Sequence, residues 1–234
     1  MRRWVLLGTG TDVGKTYVAT RLAQVLRARH TPCLALKPIE SGVSLLAGDA
    51  GTLRAAATAG AAPHYAFSDP ISPHLAARRA GQTIHIEAVL AFVAEHEARF
   101  EQSLASPTDP RSALPVCLIE TAGGAFSPLN EQCTNWDLAH ALRPEVLILV
   151  APDSLGVLHD VQATLRALRP AVPDVLVISE ARPIDASTGS NLSEIEQVVL
   201  PQLGLLGKLP LVHCGRDEDL DLSALGPLLH EFRG

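Results

Sequence analysis

The chain has 234 residues, 47% hydrophobic and 19% charged, which suits one α/β domain or two small ones around a sizeable core. Its net charge of −6 excludes general nucleic-acid binding, which needs a basic surface. An anionic ligand must be met by local positive charge, and lysine occurs only at positions 15, 37 and 208.

The first residues, "MRRWVLLGTG", imitate a signal peptide, but the apolar run Trp4–Leu7 stops at glycines and threonines, far short of a signal core. No stretch approaches the roughly 18 apolar residues of a membrane span. Cys33, Cys117, Cys133 and Cys214 show no CxxC spacing, and two lie in apolar runs. Buried, reduced thiols and a cytoplasmic location are expected. Asn191-Leu192-Ser193 matches a glycosylation sequon and is read as coincidence.

In chain order, apolar runs of strand length fall at 4–8, 33–37, 116–120, 146–151 and 175–179, with a last strand expected at 205–210. Near-continuous hydrophobicity points to strands covered on both faces, as in a parallel sheet. Helical spacing predicts helices over 15–29, 86–104, 156–169, 191–203 and 223–232. Residues 103–115, "SLASPTDPRSALP", read as a surface loop. The alternation predicts a doubly wound, mainly parallel sheet flanked by helices, of the P-loop NTPase type, with no repeat or linker across 1–234.

The stretch "GTGTDVGKT" (8–16) carries the first chemistry. It lies between a buried strand and an amphipathic helix, the setting a phosphate loop requires. Gly8 and Gly14 enclose five residues where the common pattern has four, and the shorter spacing would place the first glycine at Thr9. Backbone N–H groups and the helix N-terminus would face phosphate, Lys15 would reach the outer phosphates, and the Thr16 hydroxyl would ligate Mg²⁺. An ordinary glycine turn capping a helix is the alternative. Ligands in such sheets bind beyond the carboxyl ends of the strands, where Lys37 ("LKPIESG") and Glu120 ("LIETAGG") fall. Asp49 could add a second carboxylate for Mg²⁺. Taken singly, Lys37 could be a surface lysine and Asp49 a helix cap. The nine histidines show no metal-ligand spacing.

With these motifs in view the sequence resembles the dethiobiotin synthetase family, whose loop GTDTxVGKT carries the same extra residue. "KPIESG" (37–42) resembles its KP-x-x-SG, "GDA" (48–50) its S-D-A, "DPISPHLAA" (69–77) its P-x-SPH, "ETAGG" (120–124) its EGAGG, "SLG" (154–156) its LG turn and "LGKLP" (206–210) its G-x-x-P. The resemblance implies an ATP- and Mg²⁺-dependent enzyme of biotin biosynthesis, with a carbamate of 7,8-diaminononanoate attacking the γ-phosphorus and the second amine closing a cyclic urea. Carried over residue by residue, Asp12, Val13, Gly14, Lys15, Thr16 and Tyr17 would wrap the phosphates, and Thr16, Asp49 and Glu120 would serve the metal. Lys37 would be the catalytic lysine, with Thr11 and Lys15 flanking the reacting groups and Ser41 touching substrate. Thr121, Ala122, Gly123, Ser179, Glu180, Pro210, Leu211 and Val212 would line the nucleotide. Leu155, Gly156, Val157 and Leu158 would hold the substrate carboxylate for a partner subunit, implying a homodimer.

Three positions depart from the pattern: Thr121 stands for a glycine, His159 for the asparagine of LG-x-x-N-H, and Ser179-Glu180 for the Asn-Asp or Asn-x that reads adenine. A switch ATPase is the main rival, but its signature lysine, five residues before the loop lysine, is here Gly10. An ammonia-using amide ligase would need a glutaminase domain, and a non-catalytic relative would not be expected to keep the loop and strand-end charges together.

Overall fold

The computed structural model describes residues 1–43, 48–104, 114–180 and 183–216. At its centre, β1 (Arg2–Gly8) pairs in parallel with β6 (Val116–Glu120) on one side and β7 (Val146–Asp153) on the other. β2 (Cys33–Leu36) and β4 (Ala59–Gly60) extend the first flank; β8 (Val175–Glu180) and β9 (Leu211–Cys214) extend the second. The order β4-β2-β6-β1-β7-β8-β9 is parallel throughout, and β3 (Ile39–Ser41) pairs with β5 (Tyr65–Phe67) in a separate parallel ribbon.

The run "WVLL" is buried on both sides because successive strand residues face opposite ways. Trp4 and Leu6 join a core packed under α1 (Lys15–Ala28) and α2 (Asp49–Ala56), with Val18, Leu22, Leu26 and Leu53. Val5 and Leu7 join the opposite core, with residues of α3 (Pro73–Arg79), α4 (Ile86–Ser103), α5 (Asn135–Leu142) and α6 (Val157–Leu168). The sheet is therefore doubly wound, as expected. No helix among the described residues is long and apolar enough to cross a membrane. The four cysteines are free; Cys33, Cys117 and Cys214 are buried, and burial pushes the Cys33 thiol up to about 12.

The expected last strand is misplaced. Residues 205–209 form turns instead. Gly204 and Gly207 hold φ of 65° and 69°, left-handed values that interrupt an extended chain, and Leu206 is exposed. Pairing begins only after Pro210, whose carbonyl accepts from Leu176 N at 3.0 Å. The expected helix over 191–203 is α7 (Asn191–Glu194), a π-helical stretch (Ile195–Val199) and α8 (Leu200–Leu203) in succession. Pro201, lacking an N–H, sits just inside α8. The expected helix over 223–232 lies outside the described residues, as does most of the loop 103–115.

Two short helices that periodicity did not find have local causes. α5 starts with a capping box: Thr134 and Asp137 each hydrogen-bond the other's backbone N–H. α3 starts with Pro73 in its first turn, where a missing N–H costs nothing.

Candidate active site

The loop between β1 and α1 closes over a cleft of about 300 Å³ lined by Thr11, Asp12, Gly14–Tyr17, Lys37, Ser41, Asp49, Glu120, Ala122 and Gly123. Gly8 is the loop's first glycine for a steric reason. A Cβ there would lie 2.8 Å from Gly10 O, 2.9 Å from Val13 Cγ2 and 3.0 Å from Lys15 Nζ, so a side chain has no room. Asp12 and Gly14 take left-handed φ of 57° and 93°, which turns the wider loop into the start of α1. Lys15 folds back to donate to Gly10 O at 3.0 Å, and burial lowers its pKa to about 8.

The charged groups come from the β2–β6 flank. Leu6 pairs with Glu120, so the carboxylate ends β6 directly beside the loop. Lys37, one residue beyond β2, is buried and donates to Glu120 Oε1 at 2.9 Å and to Asp49 Oδ2. Burial opposes its charge, but Glu120 and Asp49 together hold its pKa above the ordinary lysine value. Asp49 is half-exposed; burial pushes its carboxyl up, and Lys37 outweighs this and holds it below the usual range. Thr16 Oγ1 donates to Glu120 Oε1 at 2.6 Å. Glu120 is 1% exposed, burial raises its pKa, and its Oε2 has no hydrogen-bond partner among the described residues.

An orphaned carboxylate oxygen, a second carboxylate and a threonine hydroxyl at one point fit a magnesium ion, which takes one or two carboxylates together with phosphate oxygens. Among the described residues no group of three or more His, Cys, Asp or Glu could hold a metal on its own. The set therefore suits an ion completed by substrate oxygens. A larger depression of about 430 Å³, beside α3, shares no lining residue with this cleft.

Comparison with known proteins gives the site its family. The profile of a family described as an AAA domain matches residues 2–213. The ATP-dependent dethiobiotin synthetase BioD of Caulobacter sp. (strain K31) is 32% identical over 226 residues, covering 93% of this chain and 90% of its own. That of Chromohalobacter salexigens is 36% identical over 179 residues, covering 72% and 69%. The chain belongs to the ATP-dependent dethiobiotin synthetase family. Solved structures add the fold alone. Chloroplast FtsY from Physcomitrella patens superposes with a TM-score of 0.52 at 14% identity, over 97% of this chain and 65% of its own.

Of the positions the synthetase family implies, the structure gathers Thr11, Asp12, Gly14, Lys15, Thr16, Tyr17, Lys37, Ser41, Asp49, Glu120, Ala122 and Gly123 around one cleft. Others lie elsewhere. Val13 is buried under the loop, in the core beneath α1. Thr121 turns its hydroxyl into the sheet, donating to Leu6 O at 2.8 Å, and does not line the cleft. Ser179 is 1% exposed beneath Gly14, its Oγ without a partner among the described residues. Pro210 precedes β9 and Leu211 and Val212 open it; Leu211 pairs with Leu176, and Cys214, at the strand's carboxyl end, pairs with Ser179. Beyond Cys214, Tyr17 donates to Gly215 O at 2.9 Å, Arg216 lies 5.3 Å from the Tyr17 ring centroid, and Arg216 N donates to Glu180 Oε2 at 3.0 Å. Leu155 and Gly156 form the turn into α6, with Gly156 at φ 97°, and Val157 and Leu158 open the helix.

Two residues that sequence reasoning passed over position the synthetase cleft. Glu40 is buried, accepts from Asp49 N at 2.6 Å and from Ala50 N at 3.4 Å, and so fixes the helix that carries Asp49. Its place inside "KPIESG" was the available signal. Asn135, fully buried, donates to Ala122 O and Gly124 O at 2.5 and 3.0 Å and pins the "ETAGG" loop; nothing local in "CTNWD" announces that contact.

Proposed function

We propose that the chain makes dethiobiotin from 7,8-diaminononanoate, CO₂ and ATP, releasing ADP and phosphate. The supporting observation is the convergence of Lys15, Lys37, Thr16, Asp49 and Glu120 on one cleft, in a chain of this family. One amine adds to CO₂ and loses a proton, giving a carbamate. The carbamate oxygen attacks the γ-phosphorus and ADP leaves, forming a carbamic–phosphoric anhydride. The second amine then attacks the carbonyl carbon, expels phosphate and closes the urea.

Phosphoryl transfer is catalysed chiefly by positioning and by stabilising charge on the transferring group. Lys15 and Lys37 supply fixed positive charge where that negative charge develops. A unit charge about 4 Å away contributes on the order of 4 kcal/mol at an effective dielectric of 20. Thr11 flanks the reacting groups, and Ser41 touches the substrate. Asp12–Tyr17 with Ala122 and Gly123 cradle the phosphates. Thr16, Asp49 and Glu120 would hold Mg²⁺, which neutralises phosphate oxygens when bound.

The turn Leu155–Leu158 receives the substrate carboxylate through backbone amides at the start of α6. In this reading it serves the neighbouring subunit of a homodimer, and the 85% exposure of Leu155 favours such a cover. The test is incubation with Mg²⁺, ATP, bicarbonate and 7,8-diaminononanoate, with mass spectrometry for dethiobiotin. Cyclic urea formation supports the reading; ATP hydrolysis without product would falsify it.

The base end carries its own expectation. Ser179 is buried, and Glu180 offers only acceptors, so neither reproduces the paired donor and acceptor of an asparagine amide. ATP, CTP and GTP should support turnover with kcat/KM values within roughly tenfold of one another, about 1.4 kcal/mol. A preference for ATP well beyond that, measured in parallel assays, sinks the expectation.

A further inference from the structure

The turn that leads into α6 is already in contact with a carboxylate, and that carboxylate belongs to the chain. Asp185 Oδ2 accepts from Leu155 N at 2.9 Å, while Oδ1 accepts from Ser187 N at 2.8 Å and Ser187 Oγ at 2.6 Å. Asp185 is exposed, yet these hydrogen bonds, that from Ser187 Oγ foremost, hold its carboxyl down to about 2. It is charged at any working pH.

The loop behind Asp185 is fixed. Its own N–H donates to Thr188 Oγ1 at 3.0 Å, and Thr188 Oγ1 donates to Asp153 O at 3.1 Å. Asp153, 1% exposed at the end of β7, accepts from Gly189 N at 2.8 Å and from Asn191 Nδ2 at 2.7 Å. The end of β7 thus anchors the stretch 185–191, and that stretch returns a carboxylate to the amide one residue before Gly156. The first amides of a helix lack intrahelical partners and attract anions. Here Asp185, an anion of the chain itself, holds the amide just before the N-cap Gly156.

We propose that Asp185 is a specificity-determining residue that competes with the substrate carboxylate for the turn at 154–158. It occupies the Leu155 amide and places a fixed negative charge beside the amides that remain. An incoming carboxylate must displace it or bind next to it. The residue therefore weakens the grip on anionic tails relative to neutral tails of the same length. This rests on the proposed role of the turn in holding the substrate tail.

The experiment is calorimetric titration of the parent, Asp185→Asn and Asp185→Ala with 7,8-diaminononanoate and with its methyl ester. Asn removes the charge and keeps an acceptor for Leu155 and Ser187; Ala removes both. The expected result is diamine binding roughly tenfold tighter in Ala, an intermediate gain in Asn, and methyl-ester binding unchanged across the three. A purely structural role would weaken both ligands together in Ala and spare Asn. Diamine bound equally by all three proteins, or more weakly by both variants, overturns the proposal while leaving the proposed reaction standing. Diamine bound by none of them overturns both.

Discussion

Lys37→Ala will reduce kcat for cyclic urea formation by roughly 10²–10³-fold, the loss typical of removing one preorganised group that stabilises charge in a transition state. Nucleotide affinity, followed with a fluorescent ATP analogue, will change only a few-fold, because the loop's backbone amides bind phosphate independently of Lys37. The variant will also lose stability. Lys37 is the cation between Glu120 and Asp49, and deleting it leaves Glu120 buried without its counter-charge, a change that costs about 3–5 kcal/mol in comparable pairs. Lys37→Arg will not restore turnover, since a planar fork cannot occupy the place of a compact ammonium between two carboxylates. Retention of more than a tenth of parental kcat by Lys37→Ala removes the lysine from the chemistry.

The second large effect is expected at Gly14. Its φ of 93° is one that L-residues rarely adopt, and a Cβ would lie 2.3 Å from Ser179 Oγ and 2.8 Å from Ser179 Cβ. Both faults act on the residue that turns the loop into α1. Gly14→Ala is expected to abolish measurable nucleotide binding and to lower Tm by roughly 5–10 °C. The two causes separate in a double variant. Adding Ser179→Gly removes the clash and leaves the left-handed penalty of about 1–2 kcal/mol, so part of the lost Tm should return. No recovery in the double variant would show that backbone strain alone accounts for the loss.

Much of this site was legible in the sequence because it is built from contiguous pieces at strand ends. The runs ending at Gly8, Lys37 and Glu120 were long enough and apolar enough to read as buried strands, and parallel strands bring their carboxyl ends to one edge. The part that was misread sits at the other end of the sheet. "LLGKLP" has the apolar content of a strand, and periodicity cannot reveal that Gly204 just before it and Gly207 within it adopt left-handed φ. The strand itself is β9, which begins only after Pro210 and places Gly215 and Arg216 beyond its carboxyl end. Asp185 acts across 30 residues of sequence through one hydrogen bond, and Asn135 across 11–13 residues through two. Such contacts leave no local pattern, and only the folded chain displays them.

The strand order has a consequence for how such an enzyme can diversify. With β1 in the middle, Lys37, Asp49 and Glu120 come from the β2–β6 side, while Ser179, Glu180, Asp185 and the 154–158 turn come from the β7–β9 side. The departures at His159 and Ser179-Glu180 fall on the second side, and β1 with its loop stands between the two. In the proposed reading, the groups that hold the base and the substrate tail thus lie on one half of the sheet, and the charges that serve phosphoryl transfer on the other. Such a scaffold can drift in substrate range over many generations while its reaction stays the same.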